Sequence, residues 1–149
     1  GDDAIDAELA RDNTATGIRH AQLVRAARPT AEAKRAAWQA ALHDESLANH
    51  LLAATIGGIM IGEHRELLRP HLTEYFNAIA QTWQTRTPKM AQQIVSGLYP
   101  ILLVEPEVIT MTEDFLHKNP DLPAGAKRLL TEALDGVLRA MRCQERDTR

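Results

Sequence analysis

Hydrophobic positions along the chain recur at intervals of three and four. The clearest run is Pro70 to Arg86, where Leu72, Tyr75, Phe76, Ile79 and Trp83 stand at offsets 0, 3, 4, 7 and 11. At 3.6 residues per turn these share one stripe of a helix, leaving His71, Thr73, Glu74, Asn77, Gln81 and Gln84 for water. Only six aromatic residues occur in the chain, and three of them lie in this stretch. Each buried side chain of this size contributes about 1.5–3 kcal/mol, so this helix is expected to hold the densest part of the core.

The same period organises the rest. Asp2 or Asp3 caps a first helix to about Asp12, with Ile5 and Leu9 inward. Asn13 or Thr14 opens a second, with Ile18, Ala21, Leu23 or Val24, and Ala27 inside; Gly17 within it reads as a close helix–helix contact. Pro29 stops it, and Thr30 caps a third helix to about His43 with Ala33, Ala37, Trp38, Ala41 and Leu42 inside. Asp44-Glu45-Ser46 makes a turn and a new cap. Leu47, Leu51, Leu52, Thr55 and Ile56 follow until Gly57-Gly58 stops the helix. An apolar loop, Ile59-Met60-Ile61-Gly62, and one or two turns over Glu63–Leu68 lead to the helix opened by Pro70.

Beyond it, Thr87-Pro88, Glu105-Pro106 and Leu122-Pro123 place proline where a first turn tolerates its missing N–H. Met90, Ile94 and Leu98 form the first of these stripes and Val108, Met111 and Phe115 the second. The third is Leu130, Ala133 or Leu134, Val137 and Met141. Ile101–Val104 reads as a buried connector. The predicted class is all-α, with residues 1–143 as a single domain and 144–149 as a frayed polar tail. Helix starts recur about every 16–18 residues, a two-helix period of about 32–36 that falls in the range of helical solenoids.

Composition narrows the function classes. Over 149 residues, 44% hydrophobic and 25% charged is ordinary for a globular domain, and 4% aromatic with abundant alanine favours packed helices. A net charge of −3 argues against nucleic-acid binding. The one cysteine, Cys143, excludes an internal disulfide and suits a reducing, cytoplasmic setting. The longest apolar run, Ile101–Val104, is far short of the roughly 20 residues that span a bilayer, so no membrane partner is expected. The chain opens Gly-Asp-Asp without Met and enters a helical pattern at once, which reads as a piece of a longer protein.

Catalytic patterns are not met. Zinc hydrolases use H-E-x-x-H, two ligands one turn apart with a general base between. Here Glu63-His64 is followed by Arg65, and His71 lies further on. His20, His43, His50 and His117 are scattered and read as solvated. Gly57–Gly62 lacks the G-K-[S/T] of a phosphate loop. Glu63/Glu66 and Asp44/Glu45 read as solvated charge, and Tyr75/Phe76/Trp83 as core rather than a cofactor box. Arg65 and Arg69, four apart, have the spacing of an anion clamp but read first as a solvated helix face; they are the first candidates for any peptide contact. No catalytic, cofactor-binding or metal-ligating residues are therefore expected in this chain.

Several segments occur in a familiar order: A-A-W at Ala36–Trp38, L-A-N-H-L-L-A-A-T-I-G-G at Leu47–Gly58, and H-R-E-L-L-R-P-H-L-T-E-Y-F at His64–Phe76. Trp83, Arg86-Thr87 and G-L-Y-P at Gly97–Pro100 follow. The segments Ala7–Gly17, Ala26–Thr30 and L-P-A-G-A-K-R-L-L at Leu122–Leu130 fit the same pattern. Together they resemble the C-terminal helical domain of aminopeptidase N-type zinc peptidases, the actinobacterial branch in particular, over essentially the whole chain. The resemblance implies a right-handed superhelix of antiparallel helix pairs, HEAT- or armadillo-like. It implies a parent enzyme that removes N-terminal residues from peptides, with its zinc ligands, its G-x-M-E-N loop and its transition-state Tyr upstream. Gly58-Ile59-Met60-Ile61-Gly62 lacks the acid and amide of that loop. The expected role is a non-catalytic cap over the cleft, its partners the catalytic domain of the same chain and peptide substrate. The alternative is a free-standing scaffold that binds a protein partner on its concave face. A truncated superhelix is also expected to leave the apolar side of the first helix, at Ile5 and Leu9, sticky or paired.

Overall fold

In a computed structural model, residues 2–11 and 14–148 are described, apart from the side chains of residues 9–11, 62 and 63. Eight α-helices and one 3-10 segment account for the described elements, and no strand occurs among them. The helices are α1 (Asp2–Arg11), α2 (Ala15–Ala27), α3 (Ala31–His43), α4 (Asn49–Ile59), α5 (Leu72–Thr85), α6 (Pro88–Gly97), α7 (Pro106–Lys118) and α8 (Ala124–Asp147), with the 3-10 segment at Gly62–His71. The all-α class is as the periodicity predicts. The chain forms two compact units, residues 1–67 and 68–149.

In the first unit α2 packs against α1, α3 and α4, and α3 against α4. Thr14 and Thr30 cap as expected, their hydroxyls accepting from the N–H groups of Gly17 and Ala33 at 3.1 Å each. Ala37, Trp38, Ala41 and Leu42 are buried, Trp38 to 1% exposure, while Ala33 is half-buried.

Helix α4 departs from its expected limits at both ends. Ser46 does not cap it: Asp44 Oδ1 accepts both the Ser46 N–H (3.0 Å) and its hydroxyl (2.6 Å), which closes a local turn. The cap falls on Ala48, extended and without a side-chain bond. Nor do the glycines stop the helix, which runs through Gly57-Gly58 to Ile59. Gly58 is there for proximity: a Cβ on it would lie 2.4 Å from the Leu23 carbonyl oxygen, 2.6 Å from Ala26 Cβ and 2.9 Å from Ala27 N. A close approach to α2 is thus made from α4, by Gly58. Gly17 borders an open groove and gives its N–H to the Thr14 cap.

The second unit is built on the α5 stripe. Leu72, Tyr75, Phe76 and Ile79 are buried and Trp83 half-buried against Gly125, where a Cβ would come within 2.9 Å of Trp83 Cζ2. Helix α5 packs on α6 and α7, and α8 on α6 and α7. Buried Ile94, Leu98, Val108, Phe115, Leu130 and Val137 confirm those stripes, with Met90, Met111 and Met141 half-buried at their margins.

Four local expectations are corrected here. Pro70 lies inside the 3-10 segment and α5 starts at Leu72, because the fixed φ of proline suits a tight turn as well as a first α-turn. Pro88 and Pro106 open their helices, but Pro123 stands one place earlier, at the cap of α8. Ile101 is 47% exposed although Leu103 in the same connector is buried. The polar end is helical over most of its length: α8 continues to Asp147, its last described residues exposed.

Candidate functional site

A protein retains buried polar groups only with partners or a purpose. In the first unit the notable one is Lys34, 2% exposed on α3. Its Nζ donates to the carbonyls of Ala26 (2.8 Å), Gly58 (3.1 Å) and Ile59 (3.4 Å), at the ends of α2 and α4. Burial lowers its pKa from the ordinary lysine value, whereas three accepting carbonyls favour the charged form. No motif in the sequence marks Lys34. It heads the stripe 34, 37, 38, 41, 42, all buried, so a lysine in register with an apolar stripe was the available signal. Beside it Gln22 Nε2 donates to Thr55 Oγ1 (2.9 Å), which donates to the Leu51 carbonyl (2.7 Å) and ties α2 to α4.

In the second unit an aromatic cluster joins α5, the end of α6 and α7. The ring of Tyr75 stands edge-on to Phe76 (5.0 Å between centroids) and Tyr99 (6.2 Å), and Phe76 lies 5.9 Å from Phe115. The Tyr75 hydroxyl donates to the Val95 carbonyl. The Tyr99 hydroxyl shares a 2.8 Å hydrogen bond with Thr112 Oγ1, which also donates to the Val108 carbonyl at 2.7 Å. Burial pushes the Tyr75 phenol well above the tyrosine range, with Tyr99 a lesser cause in the same direction. Burial also raises Tyr99, and its hydrogen bond with Thr112 opposes the shift. These neutral phenols brace helices, as the core reading of this stripe expected.

The remaining candidates stay apart. Arg69 grips Glu105 with both Nε (3.3 Å) and Nη2, so an incoming anion would have to displace a carboxylate. Arg65 is exposed. His20, His43, His50, His64 and His117 are exposed, His64 Nδ1 lying 3.6 Å from Glu66. His71 corrects the expectation of a solvated face: it is buried where the 3-10 segment meets α5, its Nδ1 3.7 Å from Glu74 Oε2. Among the described residues no three of His, Cys, Asp and Glu converge as a metal site would require. Cys143 is exposed on α8.

Two grooves flank α2. One, of about 490 Å³, carries the ion pairs Asp6–Arg25 and Asp2–Arg28, the latter at 2.5 Å. The other, of about 390 Å³, is lined by Ala4, half-buried Ile5, Gly17, Ala21 and Val24; the side chain of Leu9 lies outside the described residues. A third, of about 350 Å³, lies between α5 and α7 over Phe76 and Phe115. No helix among the described residues is long and apolar enough to cross a membrane.

Comparison with known proteins gives this architecture a context. The chain is 40% identical over 147 residues to aminopeptidase N of Streptomyces lividans, an alignment that takes in 99% of this chain and 17% of that protein. It thus spans about a sixth of the length of that relative. The family model described as the ERAP1-like C-terminal domain matches residues 1–139. The match runs from residue 1 into the second half of α8, and it places this chain in the ERAP1-like C-terminal domain family.

Proposed function

We propose that this chain is the C-terminal helical part of a zinc-dependent aminopeptidase that removes N-terminal residues from peptides in the cytoplasm. In that longer protein it closes over the active-site cleft and braces the catalytic domain. The observation that carries this reading is the 40% identity to an aminopeptidase N sustained across 99% of the chain. The interior supports a bracing role: Lys34 on α3 donates to carbonyls of α2 and α4, and Tyr75 on α5 to the Val95 carbonyl of α6, bonds that tie one helix to the next. The metal belongs to the catalytic domain of the longer protein, and this chain supplies support and shielding.

Two measurements test the reading. An antibody against this chain, used on lysate of the source cells, is expected to reveal one band several times larger than 16.5 kDa. The enzyme truncated before this segment is expected to lose release of N-terminal residues from a chromogenic amino-acid anilide, and to regain it when the segment is added back. A native band at the size of the segment itself would overturn the reading in favour of a free-standing scaffold.

A further inference from the structure

We propose that the carbonyl oxygens of Ala26, Gly58 and Ile59 form a cage for a primary ammonium, and that Lys34 fills it with its own side chain to latch the last turn of α4 and the stretch 59–62. The inference rests on the first unit alone and is independent of the aminopeptidase reading.

Carbonyls in the last turn of a helix have lost their intrahelical donors and carry the negative end of the helix dipole. Here the ends of two helices, α2 and α4, bring such carbonyls to one point. They can do so because Gly58 has no Cβ: with one, its backbone could not approach Leu23 and Ala26 as it does. An ammonium is the group that fits the result. It has three donors on one atom, and the three acceptors lie at 2.8, 3.1 and 3.4 Å. A guanidinium is planar and spreads its donors too widely, and a hydroxyl has only one. Among the described residues the partners of Lys34 are these carbonyls, with no carboxylate among them. Its charge is met by backbone dipoles, which a change of side chain elsewhere does not remove. What the latch holds is the exit of the unit, where Met60 N–H still bonds to Ile56 (3.0 Å) and Ile61 N–H to Gly58 (3.4 Å) before the backbone leaves helical geometry at His64.

The test is hydrogen exchange by mass spectrometry on the full native chain that carries this segment. Lys34→Met keeps most of the stem and removes the ammonium. It is expected to speed exchange about tenfold or more in peptides covering 26–30 and 57–62, since hydrogen bonds from charged donors are the stronger kind. Helices α5–α7 should be unchanged. Lys34→Ala deletes Cγ, Cδ, Cε and Nζ, the atoms of n-propylammonium. That ion, added at millimolar concentration, should restore the slow exchange, whereas tetramethylammonium, which has no N–H, should not. Native exchange rates in Lys34→Met would overturn the proposal, as would equal rescue by both ions. Should Lys34→Ala fail to fold, the exchange of Lys34→Met decides alone.

Discussion

Two adjacent glycines in α4 show how sharply position decides the effect of one methyl group. Gly57 faces outward, and a Cβ there would find only Leu23 Cδ1 at 3.9 Å. Gly57→Ala should therefore stabilise by up to about 1 kcal/mol, the ordinary helix preference for alanine. Gly58→Ala drives a methyl into the α2 backbone at 2.4 Å and should destabilise by about 1–3 kcal/mol or more. Urea denaturation of the two variants is the check, and equal midpoints would contradict the packing described. The sequence presented these glycines as a helix stop, which is their commonest meaning. Which of the pair touches α2 depends on how two helices cross, and that information lies in the partner helix. Lys34 is the converse case: its register in the α3 stripe was visible, but its acceptors are backbone atoms that no residue identity announces.

Among the elements, the joint of α5, α6 and α7 is where side-chain chemistry should be felt in solution. Tyr75 and Tyr99 hold their protons more tightly when folded than the ordinary phenol, which titrates near about 10. Above that pH the unfolded chain has released protons that the folded chain keeps. Stability therefore falls as pH rises, and the contribution is fully present below it. Lys34, with a lowered pKa, acts with the opposite sign in the alkaline range. The contrast is thus between the native chain and Tyr75→Phe/Tyr99→Phe, which should lose stability less steeply between about pH 9 and 11; parallel slopes would count against it. The stripes of these helices were legible because bulky residues at spacings of three and four leave little choice of face. Their ends were less so. Ser46 looked like a cap until Asp44 took its hydroxyl, and Pro70 suited a 3-10 turn as well as an α-turn.

For the molecule as a whole, the division into residues 1–67 and 68–149 comes with a reporter in each part. Trp38 is buried in the first unit and Trp83 half-buried in the second, and these are the two tryptophans of the chain. In a Trp83→Phe background the fluorescence of Trp38 follows the first unit; in Trp38→Phe, Trp83 follows the second. Adding Gly58→Ala is expected to shift the Trp38 transition more than the Trp83 transition, and equal shifts would mean that the two units melt as one. The stripes predicted the helices and the resemblance predicted the family. The division into units was not anticipated, since nothing in the composition changes near Leu67. One property of the interior reaches beyond stability. Lys34, Thr55, Tyr75, Thr82 and Thr112 bond to carbonyls of the main chain, and every amino acid supplies that carbonyl. Each such bond has a single point of genetic failure, its donor. Gly58 excepted, which its contact with α2 fixes, the residues that accept are free to drift in identity as long as the helix beneath them keeps its path.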